Sequence, residues 1–321
     1  MRYGVADWDE TVRALKGATT ATLACHVNPD GDALGSLLGA ALTLRKAGAE
    51  VKASWGDGES LPDNYSFLPG SELLVEPGDV GGDDLFVALD CGALDRLGPL
   101  AGAAAASETL VNVDHHPGNP GFGTLNVVVT SASCTAELVT GLIEDAGFAM
   151  DDDIAVCLYT ALMTDTGRFQ YSNATPETLR LAARLRSFDV DASSIAQQVY
   201  ESAPFGYLKL VGRVLDRAEL FADQRFVYSY VTREDLEGTG VGMADTENLI
   251  DVVRSIRDAD VSAIFKEQED GGFRVSLRSK GAVSVGAIAR ANGGGGHELA
   301  AGFTADSIES GVESIRRALR P

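Results

Sequence analysis

The first half of the chain alternates two apolar patterns. ATTATLA (Ala18–Ala24), the run Glu50–Trp55, DDLFVALD (Asp83–Asp90) and ETLVNV (Glu108–Val113) are short and β-prone. The third is nearly continuous, as a parallel strand covered on both faces should be. Between them lie helix-length segments: Asp7–Lys16, Ala33–Ala47 ending at Gly48, Ser133–Ala146 with its N-cap expected at Ser131 or Ser133, and Asp152–Met163 with acids in its first turn. This alternation predicts an α/β fold, an open and mostly parallel sheet with helices on both faces, over residues 1–187. Phe188–Arg217 is helical in patches and broken at ESAPFGY (Glu201–Tyr207), which predicts a helical connector over 188–219. From Arg225 the period drops to two. RFVYSYVT and VSAIFKEQEDGGFRVSLRS read as strands, the second containing a Gly-Gly hairpin turn. With helices expected at Thr246–Arg257 and Val285–Ala291, residues 220–321 read as a smaller α+β domain.

Charge narrows the partners. The chain carries 47 acidic and 26 basic residues, for a formal charge of −21 over 321 residues. A groove for long duplex nucleic acid is disfavoured, because that affinity comes from Lys and Arg neutralising phosphates. Short anionic substrates held by metals remain open. The acidity also fits a salt-rich cytosol, where ions screen self-repulsion. Cys25, Cys91, Cys134 and Cys157 are scattered without CxxC spacing and read as reduced core thiols, which points to the cytoplasm. The N-terminal segment lacks the apolar core of a signal peptide, and no run supports a membrane span.

Candidate chemistry collects at strand ends. His26, Asp30 and Asp32 follow the first strand in HVNPDGD, Asp90 ends the third, and Asp114-His115-His116 follows the fourth. Three of the four histidines lie in these motifs. Acids and imidazoles at the carboxyl ends of parallel strands converge on one crevice, and mixed O and N donors suit Mn²⁺, Mg²⁺, Fe²⁺ or Zn²⁺. An isolated Asp-x-Asp is more often an acidic turn, with Asp32 as helix N-cap; the histidines beside it favour a metal site. Asp165, in ALMTDTGRF, adds a further carboxylate. Late in the chain, GGGGHELAAGF (Gly293–Phe303) offers backbone N–H groups expected to approach an anion, and Arg278-Ser279 ends a strand close by in sequence. No Walker or dinucleotide fingerprint is present.

In combination, HVNPDGDALGS, VALDCG, VDHH, LMTDTGRF, RSKG and GGGGHELAAGF resemble, in order, the DHH-family phosphoesterases with their C-terminal DHH-associated domain, closest to the nanoRNase/pAp-phosphatase branch related to RecJ. The resemblance implies two divalent cations, Mn²⁺ first and Mg²⁺ or Co²⁺ as alternatives. It implies His26, Asp30 and Asp90 as ligands of one, and Asp32, Asp90, His115 and Asp165 as ligands of the other. His116 would contact the scissile phosphate, with Asp90 as the catalytic bridge. Arg278, Ser279, Gly294, Gly295, Gly296, His297 and, less directly, Arg254 would hold the substrate's end. The implied reaction is hydrolysis of short single-stranded oligonucleotides, pAp or linear dinucleotides by two-metal activation of water, without a membrane partner and with a homodimer left open. The chain departs from the family pattern at Ser284, where Asp is common, and at Val252-Val253 ahead of Arg254. Competing readings are a family II pyrophosphatase, a RecJ-type single-strand exonuclease and a non-enzymatic nucleotide-binding regulator.

Overall fold

The structure is a computed structural model that describes residues 2–56 and 61–320. It divides into two compact units, Met1–Glu201 and Ser202–Pro321. The first contains α1 (Trp8–Gly17), β1 (Thr20–Cys25), α2 (Gly31–Lys46), β2 (Glu50–Ser54), β3 (Leu85–Leu89), α3 (Ala101–Ala106), β4 (Leu110–Asp114), β5 (Leu125–Val128), α4 (Thr135–Ala146), α5 (Asp152–Asp165), α6 (Pro176–Leu185) and α7 (Ala192–Tyr200). Its sheet runs β2-β1-β3-β4-β5, parallel at every pair. The expected mostly parallel sheet is therefore wholly parallel.

Both faces of this sheet are covered, and β3 shows how. Leu85, Val87 and Leu89 join the core built with α1, α2, α4 and α5. Phe86 and Ala88 join a second core with Leu97, Leu100 and Ala104, from a tight turn and α3. A strand apolar at every position is what two covered faces require.

The α2–α5 crossing sets up the site. Gly31, Gly35 and Gly39 form a stripe at four-residue spacing along α2. A Cβ on Gly35 would lie 2.4 Å from the carbonyl oxygen of Cys157; one on Gly31 would lie 2.4 Å from Thr164 Oγ1. Bare glycine surface lets the two backbones touch and brings the start of α2 against the end of α5.

Some boundaries depart from the sequence reading. α4 begins at Thr135, and its N-cap is Cys134, not Ser131 or Ser133. The Cys134 side chain makes no cap bond; a carboxylate from α2 takes its place, as described below. The helix expected at Thr246–Arg257 shrinks to α10 (Leu249–Arg254), preceded by a separate tight turn at Ala244–Thr246. β5 was not anticipated: it is a half-buried edge strand of four residues after a Gly- and Pro-rich stretch, with too few positions to show a period.

The second unit contains α8 (Phe205–Asp216), β6 (Glu219–Phe221), β7 (Phe226–Val231), α9 (Arg233–Thr239), α10, β8 (Val261–Glu267), β9 (Phe273–Ser279), α11 (Val285–Ala291), β10 (Gly295–Gly296), β11 (Ala300–Ala305) and α12 (Ile308–Ala318). The sheet order is β10-β11-β9-β8-β7-β6, antiparallel except for β7 with β8. Residues from α11 and α12 pack on one face, and residues from α8 and α10 on the other. The β8–β9 hairpin closes through Gln268–Gly272, with Gly271 at φ 84°, a left-handed position that favours glycine. Within the connector segment, Ile195 and Val199 of α7 belong to the first unit's core, whereas Leu210 and Val214 of α8 belong to the second's. Among the described residues no helix is long and apolar enough to cross a membrane.

Two glycine substitutions separate packing from propensity. Gly35→Ala is expected to cost about 1–3 kcal/mol through overpacking against α5. Gly212→Ala, in exposed α8 with nothing near the added methyl, is expected to stabilise by about 0.5–1 kcal/mol. Chemical denaturation of both variants checks this; an unchanged midpoint for Gly35→Ala would mean that α2 and α5 are not in tight contact.

Candidate metal centre

In the order β2-β1-β3, the connections leaving β1 and β3 run to opposite sides, which opens a crevice at their carboxyl ends. His26 stands one residue past β1, Asp90 one past β3, and Asp114–His116 at the end of β4. Asp90 has φ 55°, uncommon for a residue other than glycine, while its N–H still donates to the Val113 carbonyl at 3.0 Å.

Asp30, not Asp32, is the N-cap of α2. Its Oδ1 accepts from the N–H groups of Asp32 and Ala33, both at 3.0 Å. Asp32 instead crosses to α4. Its Oδ2 accepts from Thr135 N–H at 2.7 Å and its Oδ1 from Ala136 N–H at 3.1 Å, with Ser36 Oγ donating to Oδ1 at 3.0 Å. The orphan N–H groups and positive end of α4 thus hold a buried carboxylate from another helix. The Thr135 hydroxyl donates to Asp90 Oδ1 at 2.9 Å.

These anchors gather the acids around two imidazoles. His115 Nε2 lies 3.7 Å from Asp32 Oδ2, 3.6 Å from Asp90 Oδ1 and 3.7 Å from Asp165 Oδ2. His26 Nε2 lies 3.5 Å from Asp90 Oδ2. Such separations are at or beyond the limit of a hydrogen bond and suit donors ranged around a shared cation. Within the first unit three groups of donor atoms each fall within 4.8 Å: His26, Asp30 and Asp90; Asp32, Asp90 and His115; and Asp90, Asp114 and His116. Asp90 belongs to all three. Asp165, at the end of α5, accepts from Asn173 Nδ2 at 3.4 Å.

The charges show strain that a cation would relieve. Burial pushes the Asp32 carboxyl well above the usual range, and the charges of Asp90 and Asp165 push it further. Burial also opposes ionisation of Asp90, but His26 beside it and the charges of His116 and His115 outweigh it and hold Asp90 low. Burial disfavours a charged His116. The Asp114 hydrogen bond and the charges of Asp90, Asp114 and Asp165 overcome that and raise it to about 10. Carboxylates with imidazoles, in a pocket where the acids repel one another, fit a hard or borderline divalent cation. Burial pushes the Cys91 and Cys134 thiols up, and no cysteine enters a donor cluster among the described residues.

A polar layer orients the ligands. His116 Nδ1 donates to Asp114 Oδ1 at 2.8 Å. Asn119 Nδ2 lies 2.6 Å from Asp114 Oδ2 and 2.8 Å from Asn112 Oδ1. His115 Nδ1 lies 3.3 Å from the Ala132 carbonyl, and His26 Nδ1 lies 2.9 Å from the Val27 carbonyl. A carbonyl can only accept, so in the tautomers that make these two bonds Nε2 of His115 and His26 carries the lone pair toward the carboxylates. Thr135, Asn112, Asn119, Asn173 and Arg96 were not anticipated. Each is a common residue type with no motif around it, brought in by folding alone.

The second unit places the other candidates. Arg278 ends its alternation on β9 opposite Ser262 of β8; Arg278 Nε and Ser262 Oγ are both buried without a hydrogen-bond partner. Lys266, facing Arg274 across the same strand pair, is buried and donates to Glu247 Oε1 at 2.8 Å. Ser279 is buried, and its Oγ accepts from Gly281 N–H at 3.2 Å. Arg254 is the last residue of α10.

The glycine run differs from its sequence reading. Gly293 and Gly294 donate their N–H groups to the Arg290 and Ala289 carbonyls that end α11, so these two are not presented to an anion. Gly295 and Gly296 form β10 against Gly302 and Ala301, and His297 N–H closes the turn onto the Ala300 carbonyl at 2.7 Å. Gly294 and Gly296 are glycines for space: a Cβ would meet β11 atoms at 2.1 Å and 2.6 Å. Ser284, the departure noted above, caps α11, its Oγ accepting from Ala287 N–H at 3.1 Å. Asp does the same work at an N-cap, so the exchange leaves the helix start intact.

Comparison with known proteins shows the family. Residues 21–162 match the model of the DHH family, N-terminal domain, and residues 223–320 match that of the DHHA1 domain. The bifunctional oligoribonuclease and PAP phosphatase NrnA of Thermus thermophilus is 34% identical over 97% of this chain and 92% of its own. A probable enzyme of the same name from Streptococcus mutans is 30% identical over 92% of each. The crystal structure of an exopolyphosphatase-related protein from Bacteroides fragilis superposes with a TM-score of 0.89 at 27% identity, covering 99% of this chain and 97% of that one. The chain belongs to the DHH family and carries the family's N-terminal domain followed by a DHHA1 domain.

Proposed function

We propose that this protein is a metal-dependent phosphoesterase that hydrolyses short single-stranded oligonucleotides and small nucleotide phosphates of the PAP type. The carrying observation is Asp90, a single buried carboxylate common to three donor groups, at the sheet position where α/β folds bind ligands. The activities named for the relatives at 34% and 30% identity point the same way.

His26, Asp30 and Asp90 would hold one cation, and Asp32, Asp90, His115 and Asp165 a second; manganese suits the mixed donor set. Divalent ions so placed supply Lewis acidity and a water acidified toward neutrality. The chain's own groups do the rest. Asp114 fixes the His116 ring through Nδ1, leaving Nε2 to meet phosphate, and its carboxylate favours the protonated ring. His116 can therefore donate a charged hydrogen bond to a phosphoryl oxygen or a proton to the departing alkoxide. Thr135 and the α4 N-terminus hold Asp90 and Asp32 in place, so the site is organised before substrate arrives. In the second unit, Arg278 and Arg274 on β9, with His297, would anchor one phosphate end.

Asp90→Asn is expected to remove Mn²⁺-dependent hydrolysis of a 5′-labelled dinucleotide and to lower the Mn²⁺ stoichiometry seen by calorimetry. Loss of a mere orienting partner costs metal sites about 10–100-fold, so loss of the shared ligand should exceed about a hundredfold. A few per cent of residual activity at saturating Mn²⁺ would exclude the shared role.

Dinucleotides to about pentamers should be cut faster than 20-mers at equal concentration, since a chain of charge −21 offers a long backbone little to bind. Raising KCl screens the repulsion and should narrow the gap. Time courses over a length series at two salt concentrations test this; faster loss of the 20-mer at both would favour a processive RecJ-type exonuclease.

A further inference from the structure

We propose that Arg96 is a substrate-binding residue of the metal centre, its guanidinium gripping a non-bridging oxygen of the phosphoryl group being cleaved. The proposal deepens the hydrolase reading and rests on it. Arg96 lies in the Leu94–Leu100 turn that follows Asp90, and its carbonyl accepts from Val27 N–H at 2.8 Å, which ties this turn to the residue after His26. The side chain is exposed, yet Nη2 comes within 3.2 Å of His26 Nδ1.

That contact satisfies the arginine in only one tautomer of His26. His26 Nδ1 is also 2.9 Å from the Val27 carbonyl, which can only accept, so in the tautomer that bonds this carbonyl Nδ1 carries hydrogen. A guanidinium can only donate. In that tautomer Nδ1 is a donor and cannot also accept from the guanidinium. The opposite arrangement, Arg96 donating to a bare Nδ1, would put the proton on Nε2 facing Asp90 and spoil His26 as a ligand. The form of His26 that can hold a cation is thus the form that leaves Arg96 without an acceptor.

No ion pair takes up the slack. Among the described residues Arg96 forms no salt bridge, although acids outnumber bases 47 to 26 in the chain. Asp30 is engaged with the α2 N-terminus, and Asp90 with Thr135 and the histidines. An exposed arginine beside His26, with no carboxylate partner among the described residues, is placed to take an incoming anion. Its planar fork of N–H donors matches two phosphoryl oxygens at once, which a lysine's point charge does not. In hydrolysis, water adds to phosphorus, the P–O bond to the leaving oxygen breaks, and that oxygen takes a proton. Arg96 moves no proton; it neutralises charge on the non-bridging oxygens as the bond breaks.

The rival role is purely structural, with Arg96 orienting His26 for metal. Arg96→Ala and Arg96→Lys, both at an exposed position, separate the two. Calorimetry reads Mn²⁺ binding, then inorganic phosphate binding to the Mn²⁺-loaded protein; kinetics on a dinucleotide read kcat/KM. We expect the Mn²⁺ isotherms of both variants to match the wild type. Phosphate affinity and kcat/KM should fall about 10- to 100-fold in Arg96→Ala, with partial recovery in Arg96→Lys. Unchanged phosphate affinity in Arg96→Ala, no phosphate binding by the wild type, or a Mn²⁺ affinity that falls as far as the phosphate affinity would each overturn the proposal. If the wild type binds phosphate but hydrolyses nothing, the hydrolase reading fails, while the phosphate isotherms still decide the role of Arg96.

Discussion

Buried like charges are the constraint on which this protein is built. Asp32 and Asp90 are almost wholly buried, with Asp165 close by, and their carboxylates crowd the Nε2 of His115. Left to themselves, such groups would neutralise or pull apart, because desolvation and mutual repulsion both oppose ionisation. The fold prevents the separation. The N-terminus of α4 gives two N–H bonds to Asp32, the Thr135 hydroxyl holds Asp90, and the glycine stripe of α2 locks Asp30 and Asp32 against the end of α5. Stability is given up locally to keep a strained anionic pocket, and the large core shared by α1, α2, α4 and α5 offsets it.

Sheet order makes that pocket one site rather than several. Strands β1, β3 and β4 are neighbours although 60 and more residues separate the first two in sequence, and their carboxyl ends each deliver an acid or imidazole to the same edge. The second unit works differently. Its mixed sheet presents Lys266, Arg274 and Arg278 from two paired strands, and the glycine run is a close-packed hairpin, not a loose anion loop. Glycine serves space there: β11 lies too near to admit a Cβ at Gly294 or Gly296.

What the sequence alone determined follows from short-range physics. Period-two and continuous apolar runs define β1 to β4, and helical periodicity defines α1, α2, α4 and α5, because burial must repeat at the period of the backbone. His26, Asp30, Asp32, Asp90, Asp114, His115, His116 and Asp165 were all legible as candidates, since each sits at or just beyond the end of a recognisable element and strand ends converge in α/β folds. Tertiary structure decided what depends on partners distant in sequence. Asp32, rather than a local serine, satisfies the start of α4 across 103 residues; Asp30 takes the cap that Asp32 could equally have filled. Thr135, Asn119 and Arg96 carry no signature of their own, because a hydroxyl, an amide or a guanidinium acquires its role only from the acceptor that folding places beside it. The tight β10–β11 pairing was likewise invisible, as it exists only where β11 lies against Gly294, Gly295 and Gly296.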